Sequence, residues 1–203
     1  MTTARLTRTE RREQTRDDLI AAADRRFVQG GFHATSLDQI AADAGYTKGA
    51  VYSNFASKED LFFAVYERRA AVAEAQMAEL FATDPAAGLD RISADTSARR
   101  DRDDGWLAVF FEFWAHVIRH PELRERFAAI HRRLQLPVAG ALERVAADRG
   151  VELPVAALPL AVASGAMQIG LALERLTQPE VVDEALGVRM AHLLLEELDR
   201  RPG

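Results

Sequence analysis

The chain of 203 residues contains no cysteine. That removes disulfide frameworks, thiolate metal sites and thiol nucleophiles from consideration. Lysine is nearly absent too: Lys48 and Lys58 are the only two. Aromatic residues make up 7% against 48% hydrophobic residues overall, a balance typical of a globular protein. No apolar run approaches the ~20 residues that span a membrane, and charges interrupt each candidate. Residues 1–16 are polar and carry no apolar signal core. A Gly-rich phosphate loop is also missing. These absences lead to the expectation of an intracellular, redox-indifferent protein without a cofactor, an enzymatic centre or a membrane partner.

What is present is a focal distribution of charge. The formal net charge is −5, yet residues 1–58 hold nine Lys/Arg against seven Asp/Glu. The first 16 residues carry five arginines (Arg5, Arg8, Arg11, Arg12, Arg16) against two glutamates. A basic segment on an acidic chain is the pattern a polyanion contact requires. The same pattern also fits a solvated basic arm with ordinary surface charge.

The text reads as helical almost throughout, rich in Ala, Leu, Arg and Glu and free of sustained period-2 alternation. A first helix is predicted over about Thr9–Gln29, with Ile20, Ala23 and Phe27 inward and Gly30-Gly31 as its stop. Ser36-x-x-Gln39 matches a capping box, opening a short helix that ends at Ala44-Gly45. Thr47 can cap a third helix with Val51 and Phe55 inward. Ser57-x-x-Asp60 opens a long fourth helix, to about Ala82. Further helices are predicted over 85–100, 104–119, 121–149 (with Pro137 bending or breaking it), 155–177 and 179–200. The helix over 155–177 is apolar nearly all round, which predicts burial on more than one side.

Residues 35–65 read TSLDQIAADAGYTKGAVYSNFASKEDLFFAV, two short helices about a tight turn at Gly45. This fits a helix-turn-helix. Ile40, Ala41 and Ala44 would meet Val51 and Phe55, leaving a thin outer surface of Lys48, Gly49, Ala50, Ser53 and Asn54 that suits a major groove. The stretch resembles the signature of TetR-family regulators: Thr35, Ile40-Ala41-Ala42-Asp43-Ala44-Gly45, Lys48-Gly49, Tyr52 and Phe55, then Ser57-Lys58-Glu59-Asp60-Leu61. With Phe27, Gly31 and Phe32 upstream, the resemblance covers about residues 15–66. Two positions depart from it: Tyr46 stands where the family often has Val or Ile, and Asn54 where it often has His. Asn54 either reads adenine or meets only a phosphate.

The resemblance implies an all-α protein, an N-terminal three-helix DNA-binding domain (1–58) with a basic arm and a C-terminal helical bundle (59–203) for ligand binding and dimerisation. It implies phosphate contacts for Tyr52 and Lys58, hydroxyl contacts for Thr35, Ser36 and Thr47, and base contacts for Lys48, Gly49, Ala50, Ser53 and Asn54. Tyr52 also fits packing against the first helix, and the arginine arm fits either a minor groove or a free tail. The partners implied are a palindromic operator, a second copy through the last two helices, and a small apolar or amphipathic effector. Trp106, Phe110, Phe113, Trp114, Phe127, His131, Met167 and Leu171 are the candidate effector residues; taken singly each reads better as plain core, and the cavity reading belongs to the cluster as a whole through the resemblance. Glu112, His116 and His120, at i, i+4 spacing, form a weak metal-ligand trio without a fourth ligand; no metal is expected. The resulting reading is a ligand-responsive repressor. An activator, or a regulator answering to a protein partner, is the alternative, and a metal-dependent helical enzyme a remote one.

Overall fold

The computed structural model describes residues 7–91, 104–183, 185–190 and 193. Helices account for most of them: α1 (Arg8–Gly30), α2 (Leu37–Asp43), α3 (Lys48–Asn54), α4 (Lys58–Thr83), α5 (85–91, where its described part ends), α6 (Asp104–Arg119), α7 (Pro121–Arg149) and α8 (Ala157–Thr177). A further helical turn covers 186–190. No strand occurs among the described residues. The remainder of the helices expected over 85–100 and 179–200 lies outside them.

Each early helix starts on a hydroxyl. Thr7 and Glu10 form a reciprocal capping box at α1, and Ser36 and Gln39 form one at α2. The Thr47 hydroxyl accepts from the Ala50 amide at 3.3 Å, and the Ser57 hydroxyl accepts from the Asp60 amide at 3.1 Å. Such caps satisfy amides the helix itself cannot, each worth roughly 0.5–2 kcal/mol. α2 ends at Gly45, whose φ of 74° lies where L side chains are strained. There the Gly45 amide reaches the Ala42 carbonyl and the Tyr46 amide the Ala41 carbonyl, a Schellman ending that turns the chain directly into α3.

The chain forms two compact units: residues 1–69 with 105–127, and residues 70–104 with 128–203. In the first, α1, α2 and α3 pack on one another over Leu19, Ala23, Phe27, Ile40, Val51 and Phe55, all essentially buried. α4 and α6 add rings. Phe62 stacks on Phe113 with centroids 4.0 Å apart, and Phe32 meets both edge-on at 5.4 and 5.0 Å. Pairs of this kind add about 0.5–1.5 kcal/mol beyond their buried area. Half-exposed ion pairs border this core, Asp24 with Arg68 and Arg69, and Arg126 with Asp60 and Glu67; each is worth at most about 1 kcal/mol.

The second unit has a different core. Ala139, Leu142, Ala157 and Ala161 form its centre, with Leu89, Val138, Leu153, Leu158 and Leu160 around them. α7 supplies Ala139 and Leu142 to this cluster and α8 supplies Ala157 and Ala161. Three expectations are corrected here. Pro137 does not break α7, which runs unbroken from Pro121 to Arg149; the missing amide costs one hydrogen bond, while Ala139, Ala141 and Leu142 just beyond it are held by burial. α8 is long and apolar enough to cross a membrane by length and composition, with a mean hydropathy of 1.4, so the expectation that no run reaches that length fails. Nor is α8 buried on several sides within the chain. It buries Ala157, Ala161, Gln168 and Ala172 and exposes Val162, Leu173 and Leu176.

Candidate nucleic-acid interface

The helix-turn-helix lies wholly within the first unit. α3 buries Val51 and hands the chain to buried Phe55. Its opposite side is open: Lys48, Gly49, Tyr52 and Ser53 are exposed, Ala50 half-buried, and the capping residues Ser36 and Thr47 exposed. Tyr52 is 53% exposed, so its ring is not committed to α1, and the Lys48 ammonium lies 5.9 Å from its centroid. Lys48 pairs with Asp38 at 2.9 Å. The hydrogen bond and charge of Asp38 raise the Lys48 pKa, so the ammonium stays charged and any phosphate competes with that carboxylate.

Three of the expected contact residues are otherwise engaged. Thr35 is 2% exposed, and its hydroxyl donates to the carbonyls of Gly31 at 2.7 Å and Arg26 at 3.3 Å. Its expected role as a surface hydroxyl contact is therefore corrected: Thr35 closes the end of α1. Lys58 donates to the carbonyls of Phe32, His33 and Thr35 at 2.8, 3.2 and 3.1 Å and sits 4.5 Å over the Phe32 ring. An ammonium has three donors, so a phosphate would have to displace one of these bonds. Burial lowers the Lys58 pKa, opposed by the charges of Glu59 and Glu112. Asn54 folds onto its own helix, its amide donating to the Ala50 carbonyl at 2.8 Å while Oδ1 is buried without a partner. A two-pronged contact to a base needs that side chain to turn outward.

Residues for which the sequence reading gave no such role hold this surface in place. The Arg16 guanidinium donates to the Asn54 carbonyl at 3.0 Å and covers the Phe55 ring at 4.4 Å, tying α1 to the end of α3. The Tyr46 hydroxyl donates to Asp18 at 2.8 Å and tethers the turn. Asp43 pairs with Arg26 through two hydrogen bonds. Contacts this distant in sequence leave no local periodicity to detect.

A profile for bacterial regulatory proteins of the tetR family matches residues 19–65, and one for the C-terminal region of BetI-type transcriptional repressors matches residues 85–200. The chain belongs to the TetR family. Among curated relatives of this TetR-family chain, the HTH-type transcriptional activator FasR of Mycolicibacterium smegmatis is 33% identical over 52% of the chain and 42% of its own length. The HTH-type transcriptional repressor AcnR of Corynebacterium diphtheriae is 30% identical over 64% of each. The chain thus spans less than two thirds of either relative. Salmonella enterica GusR shares the fold, with a TM-score of 0.72 and 20% identity over 96% of this chain and 98% of that one.

The candidate effector residues fall in both units. Trp106, Phe110, Phe113, Trp114 and Phe127 belong to the first, where their rings fill one another's space: Phe110 lies 5.9 Å from Phe127, and Trp114 5.3 Å from Phe127. Arg69 caps the Trp106 ring at 4.1 Å. His131, Met167 and Leu171 belong to the second unit. There, Leu171 lines a small cleft with Gln168, Ala172, Arg175, Val182, Asp183 and Gly187. Burial lowers the His131 pKa, disfavouring the protonated imidazole. The metal-ligand trio does not come together as a coordination set. Glu112 accepts from the Phe32 and His33 amides, while His116 contacts Glu59 at 3.3 Å and stacks on His120. Among the described residues no group of three or more possible ligands could hold a metal.

Proposed function

We propose that this TetR-family chain is a cytoplasmic, DNA-binding transcriptional regulator that holds a palindromic operator as a homodimer and is released by a small apolar or amphipathic effector. The observation that carries the reading is the one-sidedness of α3: Val51 is fully buried while Lys48, Tyr52 and Ser53 stand exposed on the other face. Residues 1–58 would bind DNA and residues 59–203 would receive the effector and dimerise. In this reading Ser36, Thr47 and Tyr52 contact phosphates, and Lys48, Gly49, Ala50, Ser53 and a rotated Asn54 face bases. Lys58 acts first by shaping the loop before α2. The exposed apolar residues of α8, Val162, Leu173 and Leu176, support dimerisation through the last two helices. Two-fold symmetry would then place the two α3 helices roughly 34–36 Å apart, one helical turn of DNA. An activator is the second reading, favoured by the match to FasR.

The test is binding of the full chain to short duplexes from its own upstream region at several salt concentrations. Affinity should fall steeply with salt, and Lys48→Ala should weaken binding and reduce the logarithmic salt slope by about one. Tyr52→Phe should weaken it through loss of one phosphate hydrogen bond. Salt-insensitive binding, unchanged in both variants, would sink the proposal.

A further inference from the structure

One carboxylate reaches the DNA-binding segment from a helix far along the chain. Glu112 on α6 accepts from the Phe32 amide at 2.8 Å and from the His33 amide at 3.4 Å, across 80 and 79 residues of sequence. Its two oxygens occupy the space above Gly31 so closely that a Cβ there would meet them at 2.7 and 2.9 Å. Residues 31–33 thus form a shallow concavity of backbone amides filled by an anion. The same loop is gripped from its carbonyl side, where Lys58 of α4 takes the oxygens of Phe32, His33 and Thr35. Amides are held by α6 and carbonyls by α4.

The loop so gripped leads without slack into the operator-reading elements. Three residues after His33 stands Ser36, the cap of α2, and α2 passes through the Gly45 turn into α3. A second, independent observation concerns α6 itself. By sequence it falls within the region matched by the C-terminal repressor profile, residues 85–200. By packing it belongs with residues 1–69. α6, with the start of α7, is thus matched by the C-terminal profile while packing with the N-terminal residues.

From this geometry we infer that Glu112 is a positioning residue through which α6 sets the placement of α2 and α3 for DNA binding. The inference rests on the reading of α3 as the operator-reading helix and adds a named link to it. A displacement of α6 of about the length of a hydrogen bond would uncouple the carboxylate from both amides, because such bonds weaken steeply with distance and angle. The Phe32 and His33 amides would then lose their acceptor, while the carbonyl side stays gripped by Lys58 and the Phe32 ring and the Thr35 hydroxyl keep their own contacts. The other charged groups facing this contact are Lys58 and Glu59 from α4, His33 from the loop, and His116 from α6 one turn beyond Glu112. None of them replaces the acceptor that the Phe32 amide loses.

The experiment compares the full-length wild type with Glu112→Ala and Glu112→Gln. Hydrogen exchange is followed along α1, the 31–35 loop, α2, α3 and α4, and affinity is measured for the selected operator and for an unrelated duplex. With Glu112→Ala, exchange should accelerate at Phe32 and His33 and onward through α2 and α3, with α1 and α4 protected as before. Operator affinity should fall about tenfold, the scale of a lost charge-assisted hydrogen bond, while the unrelated duplex changes less than about twofold. Glu112→Gln, which keeps an acceptor of the same shape, should fall between. Acceleration confined to residues 32 and 33, with operator affinity unchanged, would overturn the inference and leave Glu112 a local cap. Loss of protection throughout α1 and α4 in both variants would overturn it too, by assigning Glu112 to general stability. Should the wild type select no duplex at all, the operator reading fails, and the spread of exchange into α2 and α3 still decides the link.

Discussion

The two compact units solve the packing problem with opposite materials. The first is built on rings: Phe27, Phe32, Phe62, Phe63 and Phe113 are all at most 1% exposed. The second is centred on alanines, with Ala139, Ala157 and Ala161 at the meeting of α7 and α8. Rings fix orientation as well as distance, because edge and face contacts are not interchangeable. Alanine faces fix only how closely two helices approach. A recognition helix needs placement in angle and position, and it is supported by the ring-packed unit. The alanine-centred unit keeps α8 apolar on its outer side, where Val162, Leu173 and Leu176 stand exposed.

Substitution can break this contrast. Phe32→Ala removes a ring that touches Phe27, Phe62, Phe113 and His116. It should cost about 3–5 kcal/mol in urea-induced unfolding; a loss below about 1 kcal/mol would mean the rings are loosely packed. Next in size, Ala161→Leu in the alanine seam should cost about 1–3 kcal/mol by forcing α7 and α8 apart, and a stabilised variant would show the seam underfilled.

The smallest effect is in pH. Burial lowers the pKa of both His116 and His131 from the ordinary value of 6.5. For His116 the neighbouring His120 adds to the burial, and the Glu59 carboxylate opposes both. A depressed histidine binds its proton first in the unfolded chain. Stability is therefore fully present above pH 6.5 and declines as the pH falls through that value towards the lower folded pKa. Glu59 and Asp60 also have lowered pKa values, although burial pushes both upward, because Ser57, His116 and backbone amides around Glu59, and Arg126 with the Ala56 amide around Asp60, outweigh it. Their contribution is lost only in a separate, more acidic window. Melting temperature followed from pH 7.5 to about 5 should decline in the wild type. His131→Gln and His116→Gln should each flatten that decline, because each removes a histidine whose pKa burial lowers. Equal slopes in all three proteins would remove the histidines from the account.

Much of the fold was legible because its signals are local. Ser36 and Gln39 sit three residues apart, Gly45 supplies its own turn, and the inward faces of α1 and α3 repeat at helical spacing. α6 and α7 fall at the expected 104–119 and 121–149 for the same reason. The site was legible only in part. Exposure of Lys48, Tyr52 and Ser53 follows from the spacing of Val51 and Phe55. The burial of Thr35, the inward commitment of Lys58 and the grip of Glu112 depend on groups 4 to 80 residues away. Glu112 was first noticed for its spacing to two histidines, a regularity of the helix that has no bearing on the amides it holds. The exposed side of α8 is ambiguous for a related reason: an apolar helix announces that it will be covered, not by which chain.

The ring core also sets a schedule for synthesis. α1, α2 and α3 can form as soon as residue 55 or so has left the ribosome, since their caps and mutual contacts are close in sequence. Phe113 and Glu112 arrive about 80 residues after Phe32, an interval of roughly 4–16 s at ordinary bacterial elongation rates. For that time Phe32 lacks the Phe113 ring that later meets it, and Phe62 lacks it for the later part of the interval. Slow codons placed before residue 104 would lengthen that exposure.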